Sequence, residues 1–180
     1  MIFLRRKENW IVKKLDRNFY LRPTLEVAKD LLGKVFVING KRAIITETEA
    51  YIGPIDKACH AYGYKRTKKT ESMFLTGGHL YVYMIYGLHY CMNVVTEKEN
   101  EPCAVLIRGI EGVSGPGRVC KALNITKEYD GADLISDEIY IEEGILVRNE
   151  EISIGKRINI DYAQESKDNM WRFSIKKTGI

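Results

Sequence analysis

Residues 34–51 read K-V-F-V-I-N-G-K-R-A-I-I-T-E-T-E-A-Y. Two apolar, β-branched runs flank Asn39-Gly40. Both turn residues tolerate the left-handed backbone that a two-residue turn needs, so Asn-Gly between such runs signals a β-hairpin. Segments 34–39 and 41–51 are therefore expected to pair as antiparallel strands. Working outward, 79–86 and 89–96 form a second expected pair with Gly87 at the turn, and C-A-V-L-I-R-G-I (103–110) supplies another strand. Short apolar segments near the end also read as strands: I-Y-I-E-E (139–143), G-I-L-V-R (144–148), R-I-N-I (157–160) and M-W-R-F-S-I (170–175). Pro23 and Thr24 open a helix with apolar positions Leu25, Val27, Ala28, Leu31 and Leu32, and Gly33 stops it. Gly115-Pro116-Gly117 precedes a second, short helix, R-V-C-K-A-L-N-I, with proline near its first turn. Residues 1–20 read as a leading arm and entry segment, and 52–72 as a polar loop. The sum is α+β: a single compact domain over residues 1–180, built mainly on antiparallel sheet.

The chain has 180 residues, 45% of them hydrophobic, enough to bury a core without disulfides or a structural metal. It contains no apolar run of about 18 residues, so no membrane span is expected. The opening M-I-F-L-R-R-K-E-N-W places charge after the apolar residues, the reverse of a secretory signal, which points to the cytoplasm. Cys59, Cys91, Cys103 and Cys120 form no Cys-x-x-Cys pair and are expected to be buried, reduced thiols. Net charge is +4, from 28 basic and 24 acidic residues. That is only mildly basic, so a nucleic-acid partner would require the positive charge to gather on one face.

The chemistry-bearing residues fall in two places. In T-E-T-E-A-Y (46–51), side chains two apart share a strand face, which puts Glu47, Glu49 and Tyr51 together and Thr46, Thr48 and Ala50 on the other side. Two carboxylates roughly 7 Å apart along a strand tend to raise the pKa of one of them. Such a carboxylate can hold a water and take its proton; the bland alternative is a solvent-facing strand with two solubilising glutamates. The second place is H-L-Y-V-Y-M-I-Y-G-L-H-Y (79–90), with four tyrosines. Tyr81 and Tyr83 share a face, either to stack a base or simply as strong strand formers. Tyr86 falls beside Gly87 at the turn, where a large aromatic is hard to bury in its own domain. An aromatic wedge of this kind can unstack DNA and fill the gap left by an extruded nucleotide.

Other features are weaker. K-R-T-K-K (65–69) either neutralises phosphates or is a solvated loop. Gly115-Pro116-Gly117-Arg118 either presents backbone N–H groups to a phosphate or is a helix-entry turn, and it lacks the context of a nucleotide-binding loop. The histidines are His60, His79 and His89. Cys59-His60 are adjacent and not spaced for one tetrahedral centre, and the zinc-deaminase signature is missing, so no metal is expected.

F-Y-L-R-P-T-L-E-V-A-K-D-L-L-G-K, I-T-E-T-E-A-Y-I-G-P-I-D-K-A-C-H-A-Y-G, M-F-L-T-G-G-H-L-Y-V-Y-M-I-Y-G-L-H-Y-C-M-N-V-V, A-V-L-I-R-G-I-E-G and G-P-G-R-V-C-K-A-L-N-I occur in that order between residue 19 and about residue 125. In combination they resemble the alkyladenine DNA glycosylases, the mammalian-type 3-methyladenine DNA glycosylase family. A weaker match continues through R-I-N-I-D-Y-A and W-R-F-S-I.

The resemblance implies a curved, mainly antiparallel sheet with flanking helices. It also implies a cofactor-free monofunctional enzyme that flips a damaged purine from duplex DNA and leaves an abasic site. Glu49 falls on the glutamate that deprotonates the attacking water, and Arg108 on a residue near that water and the target phosphate. Tyr51, His60 and Tyr83 fall on base-pocket positions. Asn93 falls on the pocket floor, where it helps exclude guanine. Tyr86 falls on the minor-groove wedge, with Met73, Leu88 and His89 as its groove neighbours; His89 replaces the family's usual aromatic. A monomer is expected, because one wedge needs no symmetry mate.

This fits the physics of the substrate. Alkylation makes a purine cationic, and aromatic faces attract cations. A weakened base pair is also cheaper to unstack. Two rivals make opposite demands. A non-catalytic nucleic-acid-binding module would not need Glu49, and a hydrolase of free nucleosides would not need Tyr86.

Overall fold

The computed structural model describes residues 13–176; the first part of the expected leading arm lies outside them. Among the described residues the order is α1 (Arg17–Tyr20), α2 (Thr24–Asp30), β1 (Val35–Ile38), β2 (Lys41–Ile52), β3 (Leu80–Ile85), β4 (His89–Thr96), β5 (Cys103–Ile110), β6 (Val113–Ser114), α3 (Pro116–Leu123), β7 (Ile139–Glu142), β8 (Ile152–Gly155) and β9 (Arg172–Ile175). All pairings between these strands are antiparallel, in the order β3-β4-β5-β2-β1-β7. The two-residue β6 pairs with β5, and β9 lies between β2 and β8. The α+β class and the antiparallel sheet follow directly. No described helix is long and apolar enough to cross a membrane.

The hairpins form where the turn residues place them. Asn39 and Gly40 have φ of 48° and 74°, and Tyr86 and Gly87 have φ of 52° and 67°. Glycine accepts that backbone freely; a tyrosine there is strained. The α2 helix ends at Asp30, and the turn that follows closes at Gly33 with a φ of 81°.

The core fills the space between one sheet face and α2 and α3. Val27, Ala28, Leu31, Phe36, Ala50, Val82, Val94, Val105, Ile107 and Val119 are all sealed from solvent there. Each large apolar side chain so buried contributes roughly 1.5–3 kcal/mol. Thr48 faces the same layer and donates its hydroxyl to the Ala28 carbonyl at 2.7 Å. The strict alternation of β2 then turns Glu47, Glu49 and Tyr51 to the opposite face.

One irregularity shapes that face. In the β2–β5 ladder Ile45 pairs with Ile110, Glu47 with Gly109 and Thr48 with Ile107, so the ladder slips at Thr46 and at Arg108. An extra residue in a strand re-aims its side chain, and here the Arg108 side chain turns toward the two glutamates. Gly109 makes room, since a Cβ at that position would stand 2.9 Å from the Glu47 Cβ.

Two of the expected C-terminal strands do not form. In 144–148, Gly144 lies so close to the Gly33 carbonyl that a Cβ would stand 2.1 Å from it. Ile145 gives its N–H to that same carbonyl at 2.9 Å, and the segment enters no ladder. In 157–160 the backbone is diverted to side chains: the Ile158 N–H goes to Glu49, and Asn159 takes a left-handed φ of 60°. A strand does form at Ile152–Gly155, which its polar neighbours concealed from a reading by apolar runs.

Candidate active site

Glu49 is the centre of the face opposite the core. It has no exposed surface. The Tyr51 hydroxyl donates to one carboxylate oxygen at 2.8 Å, and the Ile158 N–H donates to the other at 2.9 Å. Arg108 Nε stands 3.7 Å from that second oxygen. Burial disfavours the charged form and raises the Glu49 pKa above the ordinary glutamate range; the two hydrogen bonds and the arginines at 108 and 157 pull the other way and only partly offset it. Glu47, expected from its spacing to cause that shift, is not its source. It accepts from Arg108 Nε at 3.2 Å and from Arg172 at 3.1 Å, so its charge is matched by two guanidinium groups.

Next to Tyr51, the residue that donates to Glu49, lies a small open pocket. Tyr51, Tyr81, Tyr83, His60, Asn93 and Tyr162 bring aromatic faces and polar edges to its wall. Tyr81 and Tyr83 stack at 5.3 Å between centroids, and His60 meets Tyr83 edge-on at 4.6 Å. The sheet thus gathers Tyr51 from β2, Tyr83 from β3 and Asn93 from β4 around one opening. The Asn93 amide donates to the Tyr81 carbonyl at 3.1 Å, which fixes its orientation at the pocket floor. The chemistry of this lining, aromatic faces with a few polar edges, suits a planar heterocycle.

His60 Nδ1 lies 2.9 Å from the Tyr81 hydroxyl. Burial, with the Lys69 charge added, lowers its pKa to about 4, so it is neutral at physiological pH and can offer both a donor and an acceptor. The native state then binds fewer protons than the unfolded chain between pH 6.5 and about 4. The contribution of His60 to stability is therefore whole above pH 6.5 and is lost as pH falls through that window. His60→Gln is expected to flatten this part of the stability curve, read as the difference in Tm between the two proteins from pH 4 to pH 7.

The β3–β4 turn projects away from the fold. Tyr86 is 85% exposed and Leu88 80%, with His89 exposed beside them. Gly117, at the start of α3, packs against the His89 side chain; a Cβ there would stand 3.2 Å from the His89 Cβ, a tight contact. Gly115-Pro116-Gly117 serves as a helix-entry turn, and the Gly115 N–H bonds the Arg108 carbonyl at 2.9 Å. Met73 departs from expectation. It is 2% exposed and walls the pocket alongside Tyr81, so it does not face a groove with Tyr86.

Among K-R-T-K-K, Arg66 is committed to Glu71 and stacks over Phe74, whereas Lys69 lies 5.5 Å from the Tyr83 ring centroid. All four cysteines are buried and free. Among the described residues no group of three or more His, Cys, Asp or Glu side chains is placed to hold a metal.

The sequence reading passed over a buried ion pair that underlies the site. Arg157 donates to both oxygens of Asp56 and to the carbonyls of Ala50 and Ser166; neither partner's side chain has exposed surface. Its guanidinium stacks over Tyr51 at 4.7 Å and over Trp171 at 5.0 Å. The next residue is Ile158, whose N–H holds Glu49. Tyr162, on the pocket rim, was also missed. Beside Lys156, Arg157 looks like one more surface charge in the sequence; R-I-N-I-D-Y-A carried the only hint.

Nearly the whole chain matches known proteins. Residues 18–179 match the family described as Methylpurine-DNA glycosylase (MPG). A protein of Alkaliphilus oremlandii is 48% identical over 91% of this chain and 96% of its own length. One from Clostridium novyi is 43% identical over 92% and 96%, and one from Borrelia garinii 46% identical over 90% and 96%. Each of the three is provisionally named a 3-methyladenine DNA glycosylase. With the family match covering all but the ends of the sequence, the chain belongs to the methylpurine-DNA glycosylase family and has that family's base-excision DNA glycosylase activity.

Proposed function

We propose that this chain acts as a monofunctional, monomeric glycosylase that extrudes alkylated or deaminated purines from duplex DNA. It hydrolyses the bond between base and sugar and leaves an abasic site. The observation that carries this reading is the Glu49 carboxylate, sealed from solvent and held by two donors, one of them the hydroxyl of Tyr51 from the wall of an aromatic pocket. An ionised carboxylate that accepts two hydrogen bonds keeps its remaining lone pairs free for a water. Glu49 takes a proton from that water as its oxygen attacks the sugar C1′, and the base leaves with the bonding electrons. Arg108, beside the same carboxylate, neighbours the water and the target phosphate.

A purine in the pocket stacks on tyrosine and meets His60 and Asn93 with its polar edges. Cationic lesions leave readily because departure neutralises them. Neutral ones such as hypoxanthine depend on the donors of the pocket. Among the described residues no lysine lines the pocket, and a lyase step through a Schiff base needs an amine there.

The test uses duplexes with a single hypoxanthine or a single 3-methyladenine, under single-turnover conditions. Base release followed by strand breakage only after alkali is the expected result. No release from either duplex overturns the reading, and breakage without alkali overturns its monofunctional part.

Tyr86 separates stability from activity. A tyrosine with φ of 52° at an exposed turn is strained, and glycine there relieves roughly 1 kcal/mol, partly offset by its own entropy. Tyr86→Gly is expected to leave Tm unchanged or slightly raised while slowing excision from duplex DNA by about tenfold or more, because an emptied stack is refilled by nothing. Thermal melts and single-turnover rates on the same preparation check both halves.

A further inference from the structure

Both principal tyrosines of the pocket already carry a protein cation. The Arg157 guanidinium lies 4.7 Å from the Tyr51 ring centroid, and the Lys69 ammonium 5.5 Å from that of Tyr83. The Arg157 side chain has no exposed surface and does not line the pocket, so the Tyr51 face it covers is not the face open to a base. Asp56, two backbone carbonyls and the Trp171 ring hold it there.

An aromatic ring attracts a cation through the negative potential over its faces. A cation stacked on the ring draws on that potential and adds positive charge behind it. Its pull on a second cation weakens, while dispersion and stacking on a neutral base persist.

We propose that Arg157 and Lys69 are specificity-determining residues: by occupying faces of Tyr51 and Tyr83 they lower the pocket's preference for positively charged alkylated purines and keep neutral purines within its range. This rests on the pocket being the seat of an extruded purine.

The readout is the ratio of single-turnover excision rates for 7-methylguanine, a cation, and hypoxanthine, a neutral base, in the same duplex sequence. A structural loss or a weaker Glu49 slows both lesions; only a charge effect at the pocket moves the ratio. Three variants move it in stated directions. In the double variant Arg157→Gln with Asp56→Asn the buried cation is removed with its counter-ion, and the ratio rises about 3- to 30-fold, the range a desolvated cation–π contact spans. Asp56→Asn alone leaves the guanidinium uncompensated, and the ratio falls. Lys69→Met, at an exposed position that folding does not depend on, raises the ratio about twofold to fivefold, as a solvated cation–π contact allows.

If wild type releases neither base, the proposed function fails and this inference with it. If wild type releases both and the ratio is unchanged in the folded variants, or moves opposite to these directions, the inference alone is overturned.

Discussion

Glu49→Gln is expected to remove measurable excision, a loss of about 10²–10⁴-fold in the single-turnover rate, the usual contribution of a positioned general base. Binding to a lesion-bearing duplex should persist, because the pocket and the Tyr86 turn are untouched. The glutamine fits the same space: its carbonyl accepts from the Ile158 N–H, and the Tyr51 hydroxyl can rotate to accept from its amide. The physical chemistry also predicts a gain in stability. Burial raises the Glu49 pKa in the folded protein above its unfolded value, so between those two values the native state binds more protons than the unfolded chain and stability falls as pH rises. Above the folded pKa the full cost of burying the charge is present. The glutamine variant escapes that cost, so its Tm should exceed that of wild type at neutral pH, with the gap closing as pH falls toward about 4.3. Wild-type activity follows the opposite course. It needs the ionised carboxylate and should decline on the acid side at a pH above the ordinary glutamate range. A rate profile on hypoxanthine that stays flat down to pH 4 contradicts that assignment.

The second large effect is on folding. Breaking the Asp56–Arg157 pair by Arg157→Leu leaves a carboxylate with no exposed surface and no partner charge. Removing one partner of a buried ion pair costs about 3–5 kcal/mol. At roughly 2–4 °C per kcal/mol for a chain of this size, Tm should drop by about 6–20 °C. Replacing both residues together, by Gln and Asn, should cost less than the sum of the single changes, since neither leaves a stranded charge. The coupling is read from a double-mutant cycle of chemical denaturation midpoints. Additive losses would mean that the two side chains act independently, which their two short hydrogen bonds speak against.

Much of this architecture is written locally. Asn39-Gly40 and Gly87 mark the hairpins, and spacing by two places Glu47, Glu49 and Tyr51 on one face because a strand has no other way to display them. What escaped was non-local. Glu47 beside Glu49 suggests two repelling carboxylates, yet Arg108 and Arg172 stand on Glu47 from strands distant in sequence, and burial raises the Glu49 pKa instead. The Ile158 N–H that holds Glu49 is a backbone group, which no residue type announces. Arg157 and Asp56 are 101 positions apart, and nothing short-range couples them. R-I-N-I has a strand's composition, but its backbone serves side chains on other elements. Met73 shows the limit of carrying a role over by position: its neighbours in sequence do not reveal that it packs beneath Tyr81.

The order of elements along the chain has a consequence for synthesis. Glu49, Tyr51, Tyr81, Tyr83 and Tyr86 are all translated before residue 110, whereas the arginine behind Tyr51, the N–H that fixes Glu49 and the pocket residue Tyr162 belong to positions 157, 158 and 162. A nascent chain therefore carries the Glu49 carboxylate well before it carries the residues that orient it. A chain stopped before residue 157 lacks both the arginine and the N–H, so the setting of the Glu49 carboxylate is completed only by the closing segment of the sequence.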